Sequence, residues 1–378
     1  MRVIADTKRF TVFIAAAIAG AAMVPTIAHA SEERRKDNQT TDLCEEARQM
    51  EWFESEWVCI AEGRGLALAL PDQAEQLALT LDGAVTDFER YFAPSNHNVA
   101  VLSTPALPAE ATAFLKERGF LSLPWITETS RADLIRSSVE RQVRAQTQGM
   151  SEEQRAGALA QALAQLGDLD AGAPHPPSAL ELGALAHEAG HILFKEFYDG
   201  DARPANSITR YGSSAADWID ELAAVLNEND DLTKGRYANA RKRLEKGEPA
   251  NPFALAEFFE MEHPSLRAAQ ALRERSGKAG DNVTLVLSGE EAEQFLKESR
   301  GDPSEFYLQA RLFADFMLDT TKDQRVFAKI ANGVKADGSF EAWLSANHEE
   351  LGLAADIVGL EAQFGAWVVQ AFAGEPDS

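Results

Sequence analysis

Five residues constrain this chain more than any others: His187-Glu188-Ala189-Gly190-His191. The pattern is H-E-x-x-H, and it lies in a stretch that reads as a helix. Ser178-Ala179-Leu180-Glu181 makes a capping box directly after Pro176-Pro177, which predicts a helix starting near Ala179. Leu180, Leu182, Leu185, Ile192, Leu193 and Phe194 carry it towards Phe197 with no internal proline. Residues four apart on a helix stand one turn above one another, about 40° round in projection. His187 and His191 therefore face the same way, and two imidazoles on one face can reach a single Zn²⁺. Glu188 lies about 100° round from His187, close to such an ion without being its ligand. That is where a general base for a metal-activated water belongs. Gly190 puts almost nothing on the surface between the histidines.

Composition sets the frame for this helix. The chain has 378 residues, 45% of them hydrophobic, enough for one large core or two lobes. The first thirty residues read as an export signal. Arg2, Lys8 and Arg9 form a basic start, Phe10 to Val24 an apolar stretch, and Ala28-His29-Ala30 a cleavage site before Ser31. No later stretch is apolar for long enough to span a bilayer. The expected mature protein is therefore exported, periplasmic or secreted, without stable membrane insertion. A formal charge of −24 predicts high solubility and repulsion from nucleic acid and anionic membranes. The two cysteines, Cys44 and Cys59, are an even pair in an oxidising compartment, which favours a disulfide over two inert buried thiols. One continuous helix from 44 to 59 would hold them about 22 Å apart. A bridge therefore needs the chain to double back, near Trp52–Ser55.

Along the rest of the chain, residues 31–41 are polar and aperiodic and read as a loose leader, and 31–66 as an N-terminal segment carrying the cysteine pair. Residues 67–177 read as a mixed α/β lobe. Within it Pro71–Tyr91 and Ala109–Arg118 look helical, and Asn98–Leu102 and Leu121–Thr127 look like strands. Arg131–Gln148 and Glu152–Leu166 read as helices joined at Gly149. Residues 178–372 read as mostly helical, with one strand at Asn282–Leu287 and helices over Gly289–Ser299, Pro303–Leu318, Arg325–Ile330, Phe340–Ser345 and Ala354–Phe372, before a tail at 373–378. Arg241-Lys242-Arg243 reads as a solvated face.

A metal site built on two histidines needs a third ligand. The class that places it six residues after the second histidine, with a glycine at the third, is excluded, because Phe197 and Phe194 occupy those positions. The other large class takes a glutamate from a second helix. Asp217–Leu226 reads as such a helix, capped by Ser213 or Ser214, and it carries Asp217, Asp220 and Glu221. Asp217 and Glu221 share a face, and Glu221 sits a full turn in with the longer side chain. Asp217 reads better as a helix N-terminal charge, and Asp220 as a supporting group pointing elsewhere. His97, His175, His263 and His348 read as surface histidines.

Trp218-Ile219-Asp220-Glu221-Leu222-Ala223-Ala224 resembles the W-L-x-E-G-x-A block of the gluzincin metallopeptidases, in particular the aminopeptidase-N-like and bacterial peptidase MA-like domains. Phe306-Tyr307-Leu308-Gln309-Ala310-Arg311-Leu312-Phe313 resembles that family's tyrosine block. The likeness covers about residues 178–372. It implies an α+β, mostly helical zincin-type fold, with a small sheet before the H-E-x-x-H helix and a C-terminal helical lobe. It implies one Zn²⁺ per chain on His187, His191 and Glu221, with Glu188 as general base and Tyr307 as oxyanion donor. The chain departs from the family in three places. It lacks a G-x-M-E-N block, so aminopeptidase specificity is not implied. Leu222 replaces the usual glycine, and Val225 stands where some members carry an aspartate that orients a histidine. The expected function is an exported zinc peptidase acting on peptide or protein substrates. The alternative is a non-catalytic periplasmic binding or assembly protein with a structural zinc.

Overall fold

A computed structural model describes residues 36–126, 147–165, 176–200, 212–267 and 302–373, with a few positions between 136 and 144. The export signal, His175, most of Arg131–Gln148, the expected strand Asn282–Leu287 and the expected helix Gly289–Ser299 lie outside them. The described chain is mostly helical with one small sheet, an α+β architecture. Its contacts divide it into two units. Among the described residues, one holds those within 36–82 and 98–185, and the other those within 83–97 and 186–373. No described helix is long and apolar enough to cross a membrane.

The first unit contains α1 (Lys36–Ala47), β1 (Val58–Glu62), β2 (Gly65–Ala69), the start of α2 (Ala74–Tyr91), β3 (Asn98–Leu102), α3 (Ala109–Glu117), β4 (Phe120–Pro124) and α4 (Glu152–Gln165). The strands lie in the order β1-β2-β3-β4. β1 and β2 form an antiparallel hairpin that pairs Cys59 with Leu68, and the pairings β2–β3 and β3–β4 are parallel. Parallel neighbours need crossovers, which α2 and α3 supply. β2 is buried at every position, as a strand covered on both faces must be.

The polar stretch expected to be a loose leader is in part helical, since α1 begins at Lys36. Leu43, Cys44 and Ala47 on its last turns are buried with Trp52, Trp57, Cys59, Leu66 and Phe114. A tertiary anchor at one end thus holds a helix whose sequence has no apolar period. The chain then doubles back between Ala47 and Val58, and the Cys44–Cys59 disulfide closes with the two Cα atoms 5.5 Å apart.

The second unit contains the end of α2, most of α5 (Ala179–Asp199), α6 (Asp217–Leu226), α7 (Asp230–Glu245), α8 (Leu255–Glu260), α9 (Pro303–Thr321), α10 (Val326–Asp337), α11 (Phe340–Leu351) and α12 (Ile357–Phe372). Its core is aromatic. Phe88 and Phe92 stack at 4.8 Å between centroids and meet Phe194 and Phe197 of α5. Trp218 of α6 lies among Phe258, Phe259, Phe313 and Phe340, 4.6–6.3 Å between centroids. Arg311 of α9 donates to the Val225 carbonyl at 3.0 Å, tying α9 to the end of α6. These contacts fix α6, every residue of which from Trp218 to Leu226 is buried.

Candidate metal centre

α5 starts where its capping box requires. The Ser178 amide donates to Glu181 at 2.9 Å, and the Glu181 amide donates to the Ser178 hydroxyl at 3.2 Å. The helix then runs without a break through His187, Glu188 and His191. α6 crosses it at very short range. A Cβ built on Gly190 would sit 2.8 Å from both the Ala223 carbonyl oxygen and the Ala224 Cα, and 3.0 Å from Asn227 Nδ2. Only glycine admits that approach, and it brings Glu221 up against both histidines.

His187, His191 and Glu221 form a buried group whose ligand-type atoms all lie within 4.8 Å of one another. His187 Nε2 is 3.5 Å from Glu221 Oε1, and His191 Nε2 is 3.8 Å from Glu221 Oε2. Glu221 is fully buried, and neither carboxylate oxygen accepts a well-aligned hydrogen bond. Burying a carboxylate in that state costs several kcal/mol unless a cation answers it. Burial alone would raise the Glu221 carboxyl, but the imidazoles of His187, His263 and His191 hold it down at about 2. The fit to a metal ion is therefore chemical as well as geometric: two nitrogen donors and an ionised oxygen donor converge.

The other ring nitrogen of each histidine faces a carboxylate. His191 Nδ1 donates to Asp220 Oδ1 at 2.6 Å, and His187 Nδ1 donates to Glu228 Oε1 at 2.9 Å. A carboxylate at these positions accepts the hydrogen bond, so Nδ1 carries a proton and Nε2 is the nitrogen that turns to the cluster, available to a metal once the ring is neutral. Burial disfavours a charged His191, yet Asp220 with Glu221 and Glu188 pushes it up to about 9, a sign of how much negative charge surrounds the ring.

Asp220 is itself held by the Ser213 amide, which donates to Oδ2 at 2.6 Å, and Gly212, at φ +65°, lies on the same carboxylate. The expected serine cap of α6 is not formed. Ala216 is the N-cap with no side-chain hydrogen bond, and the Ser213 amide serves Asp220 instead. Glu228 is clamped by Arg236, whose Nε donates to Oε2 at 2.8 Å and whose Nη2 meets Oε1.

Asp217 does not share the metal face with Glu221 as its spacing suggested. Its Oδ2 accepts the His263 amide at 2.6 Å. His263, read from the sequence as a surface residue, is fully buried, with Nε2 3.2 Å from Glu221 Oε2. His97 and His348 are partly buried and outside the cluster. Tyr307 of α9 stands beside the histidines, its ring 5.3 Å from that of His187 and 5.5 Å from that of His263. The Arg236 guanidinium lies 4.8 Å over its face. Burial first, then the charges of Glu221 and Glu188, raise the Tyr307 hydroxyl above its ordinary value, so it stays a protonated donor. Glu188 is exposed, on the side of α5 open to solvent, and its charge reaches both His191 and Tyr307.

Three residues that matter here were not singled out by the sequence: Glu228, Arg236 and His263. Glu228 lies seven residues beyond Glu221 and two past the end of α6, and an acidic residue so soon after that helix was the available signal. The chain matches no family model, no curated protein and no solved structure.

Proposed function

We propose that this protein is an exported, zinc-dependent peptidase of the gluzincin type. The observation that carries the reading is the buried His187, His191 and Glu221 cluster, with each histidine oriented from behind by its own carboxylate and with Glu188 on the open side. Two imidazoles and one carboxylate are the ligand set of a catalytic zinc that keeps a position free. Ligands at about 2.0–2.2 Å round a tetrahedral ion stand roughly 3.4 Å apart. The 3.5 Å between His187 Nε2 and Glu221 Oε1 is close to that value.

A zinc ion held by His187, His191 and Glu221 would supply the Lewis acid that acidifies water and polarises the scissile carbonyl. Glu188 takes the proton of the attacking water and delivers it to the leaving amine. Tyr307, kept protonated by its surroundings, donates to the oxyanion as the carbonyl carbon becomes tetrahedral. Asp220 and Glu228 keep the two imidazoles in the tautomer that offers Nε2. The Cys44–Cys59 disulfide agrees with a chain that works outside the cytoplasm.

The test is metal analysis of the purified protein beside digestion of a mixed peptide library, repeated on Glu188→Gln. The expected result is about one zinc per chain in both proteins and hydrolysis roughly 10²–10⁴-fold slower in the variant. Unchanged turnover in Glu188→Gln ends this mechanism, and stoichiometric zinc with no hydrolysis by the native protein favours a structural metal.

A further inference from the structure

Three histidines surround Glu221, and their hydrogen bonds divide them into two kinds. His187 and His191 each donate from Nδ1 to a carboxylate, which leaves Nε2 as the nitrogen a metal can take. His263 is wired the other way. The Ser265 backbone amide donates to His263 Nδ1 at 3.1 Å. An amide N–H can only donate, so Nδ1 is the lone pair and Nε2 carries the proton. A protonated Nε2 cannot ligate a metal, but it can donate, and Glu221 Oε2 lies 3.2 Å from it, within reach although the two are not aligned as a hydrogen bond. The ring is held in place on every side. Its own backbone amide is bonded to Asp217 Oδ2 at 2.6 Å, one turn before Glu221 on α6. The ring packs against Phe306 at 5.1 Å and Tyr307 at 5.5 Å between centroids.

We propose that His263 is the positioning residue of the third ligand, its Nε2–H engaging Glu221 Oε2 so that Oε1 alone is presented to the metal. The inference rests on the metal site of the preceding section and not on peptide hydrolysis. It gives each of the three ligands its own holder: Glu228 for His187, Asp220 for His191 and His263 for Glu221. With one oxygen tied back by a donor, the carboxylate would offer a metal a single oxygen, whereas a carboxylate free to swing could offer both. His263 thus acts through Glu221 rather than on substrate.

Two measurements test this, neither of them activity. The first is the ¹⁵N–¹H spectrum of histidine-labelled native protein loaded with zinc. His263 is expected as the Nε2–H form with an unprotonated, metal-free Nδ1, and His187 and His191 are expected as Nδ1–H with shifted, metal-bound Nε2. The second is zinc affinity by competition with a chromophoric chelator in His263→Phe and His263→Gln. Phenylalanine keeps the ring volume and loses the donor; glutamine keeps a donor at comparable reach. His263→Phe is expected to bind zinc about 10–100-fold more weakly. His263→Gln is expected to recover most of that loss, which a merely structural role would not produce. Native affinity in His263→Phe, or a metal-shifted His263 Nε2 in the native spectrum, overturns the proposal. The spectrum decides it even where His263→Phe does not fold. Failure of the native protein to bind zinc overturns it together with the proposed function, whereas zinc binding without hydrolysis leaves it standing.

Discussion

Asp220 and Glu221 are adjacent, equally buried and chemically alike, yet their surroundings give them opposite work. Both oxygens of Asp220 are occupied, one by His191 and one by the Ser213 amide. The oxygens of Glu221 point at Nε2 atoms and accept no well-aligned hydrogen bond. Metal affinity should follow that division. Glu221→Ala is expected to abolish tight zinc binding. Asp220→Ala is expected to keep about one zinc per chain at saturating metal while binding it roughly 10–100-fold more weakly, as for loss of an orienting partner. Chelator-competition titrations of the two variants measure this, and equal losses in both would show that Asp220 is itself a ligand. At this scale the sequence was legible wherever chemistry depends on local spacing. His187, Glu188 and His191 stand four residues or fewer apart, and helix geometry alone puts them on adjoining faces. The residues that hold them come from 29 and 41 positions away, and His263 reaches Glu221 from across two intervening helices. Such pairings depend on the path of the chain between helices, and no periodicity encodes that path.

α5 and α6 form one device, and Gly190 sets its gauge. Alanine at 190 would gain about 0.5–1 kcal/mol of intrinsic helix preference. Its Cβ would also press to 2.8 Å on the α6 backbone, at Ala223 and Ala224, where no flexible side chain can yield. Overpacking of this sort costs roughly 1–3 kcal/mol, so the clash outweighs the preference. Gly190→Ala is therefore expected to lower stability and, by pushing α6 away from α5, to weaken metal binding, since metal–ligand bonds of about 2.0–2.2 Å tolerate little separation. Thermal melts of the metal-free protein and zinc titrations check both parts, and a variant indistinguishable from the native protein in both would show that the helices have slack. Elements with strong local signals were readable from sequence: α5 starts at Ala179 behind its capping box, and β3 spans Asn98–Leu102 as its apolar run predicted. The β1–β2 hairpin was not. Gly65–Ala69 shows no alternation because every one of its residues is buried, so it lacks the period that marks a half-exposed strand. α1 was missed for the converse reason: its sequence is polar, and packing at its last turns, which only the fold supplies, holds it.

Across the whole molecule, the disulfide and the candidate metal ligands fall in different units. The disulfide joins α1 to β1 in the unit that holds the sheet, and all three candidate ligands lie in the helical unit. The bridge spans 15 residues, and in the chain-entropy account closing a loop of that size contributes about 3 kcal/mol. Both sulfurs also sit in a buried cluster with Trp52, Leu66 and Phe114, so their removal leaves a small packing defect on top of the lost cross-link. The double variant Cys44→Ala/Cys59→Ala is therefore expected to lose about 3 kcal/mol or somewhat more from the stability of the sheet-containing unit. Its affinity for zinc is expected to stay within about threefold of native, because Asp220, Glu228 and His263, whose side chains meet His191, His187 and Glu221, all belong to the helical unit. Alanine is preferable to reduction with a thiol here, since thiols compete for zinc and would confuse the two effects. Denaturant unfolding followed by the fluorescence of Trp52 and Trp57 reports the first quantity, and chelator competition the second. A variant that unfolds as the native protein does would show that the bridge adds nothing the core does not already supply. A tenfold or greater loss of zinc affinity would show instead that α2 and α5, each of which runs through the boundary between the units, transmit the damage to the metal site.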